Sequence, residues 1–245
     1  MINRRHFLQF SVSTVATLGL SNFDIIRQGN RYAQALGQST PRKLALLVGI
    51  NKYPQGRNIR NLQGCIYDVS LQEELLVNRF RFRPSDIIKL TSDSHIPPTR
   101  QNILNVFEEN LIKQVKPGDI VVFHFSGHGS ILRDPGPVTK YCQNSQFDEL
   151  NSTLVVADEI KNNSSPYIMG RTLSLLRLAL NTDNVTMVID SCFSGGLSSA
   201  DYQMRFATCN TLAPSPEEID YQKKWIDRLG LSEEEFGRQR CNGIN

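Results

Sequence analysis

Three short runs in this chain are predominantly apolar: KLALLVGI (43–50), IVVFHF (120–125) and VTMVID (185–190). A strand with one wet face alternates apolar and polar residues. A strand covered on both faces reads as a continuous apolar run. Between these runs the period changes to that of a helix. Ile66, Val69, Leu71, Leu75, Leu76 and Phe80 form one stripe within 62–80. Ile103, Leu104, Phe107, Leu111 and Ile112 form a second, preceded by Pro97-Pro98 and by Thr99 as a candidate N-cap. The leucine-rich stretch 173–180 forms a third, and DIIKL (86–90) and TLVV (153–156) read as further strands. Strands and helices in alternation predict βαβ units: an α/β fold with a mostly parallel sheet and helices on both faces.

Charge and composition exclude several function classes. A formal net charge of +3 in 245 residues is too small for a nucleic-acid-binding surface. No apolar run suits a multi-span membrane protein. The first 35 residues read as an address. Arg4-Arg5 precede a stretch without formal charge from Phe7 to Phe23, and Ala33-Gln34-Ala35 has the small-x-small pattern of a cleavage site. The paired arginines before Phe7-Leu8 resemble a twin-arginine export signal, so the expectation is an exported protein, periplasmic or extracellular, that begins at Leu36. An uncleaved anchor is the alternative. Four of the 27 basic residues and one of the 24 acids lie in this segment, so residues 36–245 carry 23 of each and no net charge. Five cysteines are too few for a disulfide scaffold, and the odd number leaves at least one without a partner in the chain.

Ligands of open α/β sheets gather beyond the carboxyl ends of the strands. Two such ends carry reactive side chains in glycine-bearing turns: Ser126-Gly127-His128-Gly129 and Asp190-Ser191-Cys192-Phe193-Ser194-Gly195-Gly196. A cysteine at a strand end is, taken singly, most often an inert small hydrophobe, and a histidine in a turn is most often just hydrogen-bonded. Together they fit a nucleophile and its base: imidazole draws the thiol toward thiolate and then protonates the leaving group.

HFSGHG followed by DSCFSGG, with LALLVGINKY and LQGCIYDV upstream, resembles the caspase-like cysteine peptidases, nearest to the metacaspases and their bacterial relatives. The resemblance runs from about Lys43 to Ser199. It implies a three-layer caspase-like fold, with His128 as general base, Cys192 as nucleophile, and the backbone N–H groups of Gly129 and Cys192 as oxyanion hole. It also implies that Asp190 and Asp68 line the primary specificity pocket. Two carboxylates suit a guanidinium or ammonium group, so the expected substrates are proteins or peptides cut after Arg or Lys. For Asp68 the competing reading is a solvated helix residue, and for Asp190 a cap on the following turn.

The chain also departs from that pattern. Phe193 stands where many relatives have a second histidine. Several metacaspases bind calcium through aspartates between the catalytic pair, but the segment where an acidic pair is expected reads Ile168-Met169-Gly170-Arg171. Arg171 offers no carboxylate oxygen. Asp148, Glu149, Asp158 and Glu159 follow no recognised loop spacing, and no Cys/His set has zinc spacing. No metal and no cofactor are therefore expected. After Gly196 no alternating apolar run follows, so the smaller second half of a caspase-like domain is absent, divergent or encoded elsewhere. The expected organisation is a signal peptide (1–35), a catalytic domain (36–200) and a polar, helical tail (201–245). Ser232 with Glu233, Glu234 and Glu235 marks a helix start in that tail, and Trp225 is expected to pack on the domain, with a partner surface as the alternative. Two alternatives stay open beside the peptidase: a non-catalytic binding module, and a half-enzyme needing a small-subunit partner. Cys65 is expected to be a buried thiol, and His95 and His124 to have structural roles.

Overall fold

A computed structural model describes residues 42–55, 59–133, 150–159, 167–191 and 214–242. The signal segment, Cys192, Phe193, Cys142, Cys209, Asp148 and Glu149 lie outside them, as does the side chain of Cys241. The three apolar runs become β1 (Lys43–Gly49), β3 (Ile120–Ser126) and β7 (Val185–Asp190). With β2 (Ile87–Thr91) they form one parallel sheet in the order β2-β1-β3-β7. The switch from β2 on one side of β1 to β3 on the other makes a crevice beyond the carboxyl ends of β1 and β3.

Strand alternation divides the side chains between two helical layers. Leu44, Leu46, Val48, Val121, Phe123 and Phe125 share one face and one core with Ile103, Leu104, Phe107 and Leu111. Those four come from α2 (Arg100–Val106) and the π-helical turn that continues it (Phe107–Ile112), and the Phe107 ring meets that of Phe123 edge-on at 5.6 Å. Thr99 caps α2: its hydroxyl accepts the Asn102 N–H at 3.3 Å. The opposite sheet face is covered by α1 (Cys65–Phe80), whose Cys65 and Val69 are buried. The helices on both faces are thus those read from the sequence.

A second sheet was not anticipated. β4 (Gly129–Arg133), β5 (Leu150–Val155) and β6 (Tyr167–Met169) are antiparallel, in the order β4-β5-β6. TLVV belongs to the middle strand of this sheet, not to the parallel one. The chain then forms α3 (Gly170–Leu178) and re-enters the main sheet as β7.

The tail is more than a polar appendage. It folds as α4 (Pro216–Arg228) and α5 (Glu233–Asn242). Trp225, Ile226 and Phe236 are buried and belong to the same core as Phe107 and Leu176. Buried polar groups lock this layer: the Arg100 guanidinium donates to Glu218 Oε2 from Nε at 3.0 Å and from Nη2 at 2.7 Å. The other Glu218 oxygen accepts from the Met169 N–H at 3.1 Å, from Gln222 Nε2 at 3.2 Å and from the Thr172 hydroxyl. Ser232 and Glu235 form a reciprocal capping box at the start of α5, with bonds of 2.8 and 3.1 Å. Among the described residues no strand follows β7.

Candidate active site

The loop after β1 and the carboxyl ends of β3 and β7 converge. Ser126 and Asp190, the last residues of β3 and β7, are directly paired, and the Gly127 N–H donates to the Asp190 carbonyl at 3.3 Å. His128 lies two residues beyond the end of β3, and Cys192 two residues beyond the end of β7. Cys192 itself is outside the described residues.

His128 is 1% exposed. Its Nε2 lies 2.7 Å from the Arg60 carbonyl oxygen. A carbonyl only accepts, so Nε2 carries the proton and Nδ1 holds the lone pair in the neutral ring. Nδ1 is buried and has no hydrogen-bond partner among the described residues. That nitrogen is the atom with base character. The sequence named the histidine but gave no sign of which nitrogen would serve.

Gly129 opens β4 opposite Leu154. The Val155 N–H donates to the His128 carbonyl at 2.9 Å, which makes Gly129 and Leu154 a non-hydrogen-bonded pair. In such a pair each residue's own N–H points away from the partner strand. The Gly129 N–H is therefore directed out of the β4–β5 ladder, as an oxyanion donor requires.

Asp68 sits in the first turn of α1, half-buried, and its Oδ2 accepts the Ser126 hydroxyl at 2.6 Å. Directly paired residues on parallel strands point to the same sheet face. Ser126 faces α1, so Asp190, its exposed partner, projects on that face too. The two acids named from the sequence thus flank one strand-end serine. Asp68 is not simply a solvated helix residue. Ser126 had not been singled out, though its place at a strand end beside Gly127 was the available signal.

The remaining sequence readings sort as follows. Cys65 is buried, His124 is 2% exposed within β3, and His95 is exposed. Arg171 is buried, forms an ion pair with Glu233 of α5 and lies 5.5 Å from the Phe236 ring centre. Its guanidinium binds the C-terminal layer and supplies no metal ligand. Among the described residues no three His, Cys, Asp or Glu side chains converge as a metal site.

Residues 43–200 match the family described as Metacaspase, peptidase C14 domain. The chain is 38% identical over 157 residues to Metacaspase-7 of Arabidopsis thaliana, covering 63% of this chain and 35% of that protein. It is 34% identical over 173 residues to Metacaspase-1B of Neurospora crassa, covering 67% and 36%. It is 33% identical over 159 residues to Metacaspase-9 of Arabidopsis thaliana, covering 64% and 44%. The chain thus spans between 35% and 44% of the length of these relatives. A crystal structure of a Geobacter sulfurreducens protein shares the fold, with a TM-score of 0.50 at 19% identity over 78% of this chain and 65% of that one. With the family match covering residues 43–200, more than half of the chain, the chain belongs to the metacaspase, peptidase C14, family.

Proposed function

We propose that this protein is a cysteine endopeptidase that cuts after Arg or Lys through Cys192 and His128. The observation that carries this reading is the buried imidazole. The Arg60 carbonyl accepts the Nε2 proton, which leaves the buried Nδ1 with its lone pair free to take a proton. In the reaction His128 Nδ1 takes the thiol proton. The thiolate then attacks the scissile carbonyl carbon, and the carbonyl π electrons move to oxygen. The resulting oxyanion is held by the N–H groups of Gly129 and Cys192. Its collapse breaks the C–N bond, and the imidazolium protonates the leaving amine. Water, deprotonated by His128, then cleaves the thioester and restores the thiol.

Asp68 and Asp190 favour a basic side chain before the cut bond, because a guanidinium can take bidentate hydrogen bonds from carboxylates. The test is hydrolysis of short peptides ending in Arg, Lys or Asp. Arg and Lys peptides are expected to be cut and Asp peptides not. Cys192→Ala and His128→Ala should abolish cleavage, and Asp68→Asn should raise KM for the arginyl peptide about tenfold with little change in kcat. Cleavage only after Asp would reject the acidic pocket. Cleavage that persists in Cys192→Ala would reject the thiol mechanism, and no cleavage of any peptide would reject the peptidase in favour of a binding module or a half-enzyme that needs a second chain. We further propose export through the twin-arginine route with cleavage after Ala35. N-terminal sequencing that still finds Arg4-Arg5 on exported protein would overturn this.

A further inference from the structure

We propose that Tyr53, in the loop after β1, is a positioning residue for the base; this rests on the His128–Cys192 reading above. His128 leaves the sheet through Gly127, and both of its main-chain polar groups are held. Its carbonyl accepts from Val155 of β5 at 2.9 Å, and its N–H donates to the Tyr53 hydroxyl at 2.8 Å. The Tyr53 ring also lies against the imidazole, with centroids 5.0 Å apart and planes tilted by 48°. One side chain thus fixes both the backbone and the ring plane of the histidine.

The approach is tight. A methyl group at Gly127 would come within 2.9 Å of the Phe125 ring and 3.0 Å of the Tyr53 hydroxyl, so a larger residue there would push on both. Tyr53 is itself anchored. Its N–H donates to Asn61 Oδ1 at 2.9 Å, next to Arg60, whose carbonyl takes the Nε2 proton. The Leu62 N–H then returns to the Asn51 carbonyl at 2.7 Å, and Asn51 Oδ1 accepts the first N–H of α1 at 2.9 Å. The loop therefore forms a cradle that offers the histidine a hydroxyl, a ring face and a carbonyl.

A core role needs only an aromatic ring at this position, and phenylalanine would supply that. The hydroxyl is a different matter. Without it a buried N–H next to the reacting ring has lost its acceptor, and the turn must move to recover one. Small displacements of a reacting group cost large factors in rate.

The test uses the full chain and a small alkylating probe, iodoacetamide. Its reaction with Cys192 is followed by mass spectrometry of that peptide across pH. A thiolate drawn out by imidazole reacts at acidic pH, whereas an unassisted thiol reacts only near its ordinary range of about 8.5. Wild type is expected to show the acidic limb and His128→Ala to lack it. Tyr53→Phe should lower alkylation below neutral pH by about tenfold and converge with wild type above about pH 9, where thiolate forms unaided. Asn61→Ala, at an exposed position, should shift the profile the same way by a smaller factor. Tyr67→Phe, on the exposed face of α1, should leave it unchanged. An unshifted Tyr53→Phe profile overturns the proposal, even if that variant melts earlier. If Tyr53→Phe does not fold, an unshifted Asn61→Ala profile overturns it instead. Identical profiles for wild type and His128→Ala would sink the dyad itself, a result distinct from failure of Tyr53 alone.

Discussion

A methyl group on Gly49, the last residue of β1, would sit 2.6 Å from the Cys65 carbonyl oxygen and 2.8 Å from Val69 Cγ2. The backbone of α1 lies directly on the strand there, and this close approach brings Asp68 within reach of Ser126. Relief would require α1 to lift from the sheet. Gly49→Ala is expected to cost about 1–3 kcal/mol, read as a lower urea midpoint, and to weaken the Asp68–Ser126 contact with it. At this scale the sequence was informative about candidate residues and silent about the groups that hold them. His128 stood out by residue type and place at a strand end, and Asp68 and Asp190 through the resemblance to the caspase-like peptidases. Tyr53, Arg60 and Ser126 did not. Tyr53 and Arg60 act through a hydroxyl and a main-chain carbonyl, and a carbonyl leaves no mark in the side-chain pattern.

The decisive element is α4. Arg100 and Glu218 are both buried, from segments far apart in sequence, and Glu217 adds a second contact to the same guanidinium at 3.2 Å. Removing one partner of a buried pair leaves an uncompensated charge, so Glu218→Ala should destabilise by about 3 kcal/mol in urea unfolding. The neighbouring Tyr221 donates to Glu108 at 2.7 Å. Burial first, and then this bond, push its pKa well above the usual tyrosine value. The native state keeps this proton where the unfolded chain has begun to release it. Its contribution is complete below the unfolded value of about 10 and is lost as pH rises beyond it. Urea midpoints should therefore fall more steeply above about pH 10 in wild type than in Tyr221→Phe. The helices of the main layers were legible because each carries one apolar stripe. α4 was expected as a helix with Trp225 packed on the domain, but the buried Glu218 and Gln222 on its inward face were not legible, since both read as polar tail residues.

For the whole molecule, the core does not end with the main sheet. Trp225, Ile226 and Phe236 are each at most 5% exposed. Burying three such side chains contributes about 6–8 kcal/mol, comparable with the entire stability of an ordinary domain of about 5–15 kcal/mol. A chain stopped after residue 213 should lose its sigmoidal unfolding transition by far-ultraviolet circular dichroism, or not remain soluble. Retention of the full transition would show that α4 and α5 are an accessory layer. The zero net charge of residues 36–245 leaves any basic-substrate preference to local acids, so it should respond to Asp68 and Asp190 far more than to ionic strength.

By itself the sequence determined the parallel sheet, because strands covered on both faces, as β1 and β3 are, read as nearly continuous apolar runs. It also singled out His128 and Cys192 as candidates, because glycine-bearing turns at strand ends mark themselves. Tertiary structure alone decided three other features. The β4-β5-β6 sheet depends on pairing between short segments that no local period announces. The base nitrogen of His128 is set by a carbonyl from another loop. The C-terminal layer is held by charges that read as solvated in sequence and become structural only once Arg100 and Arg171 face their acids.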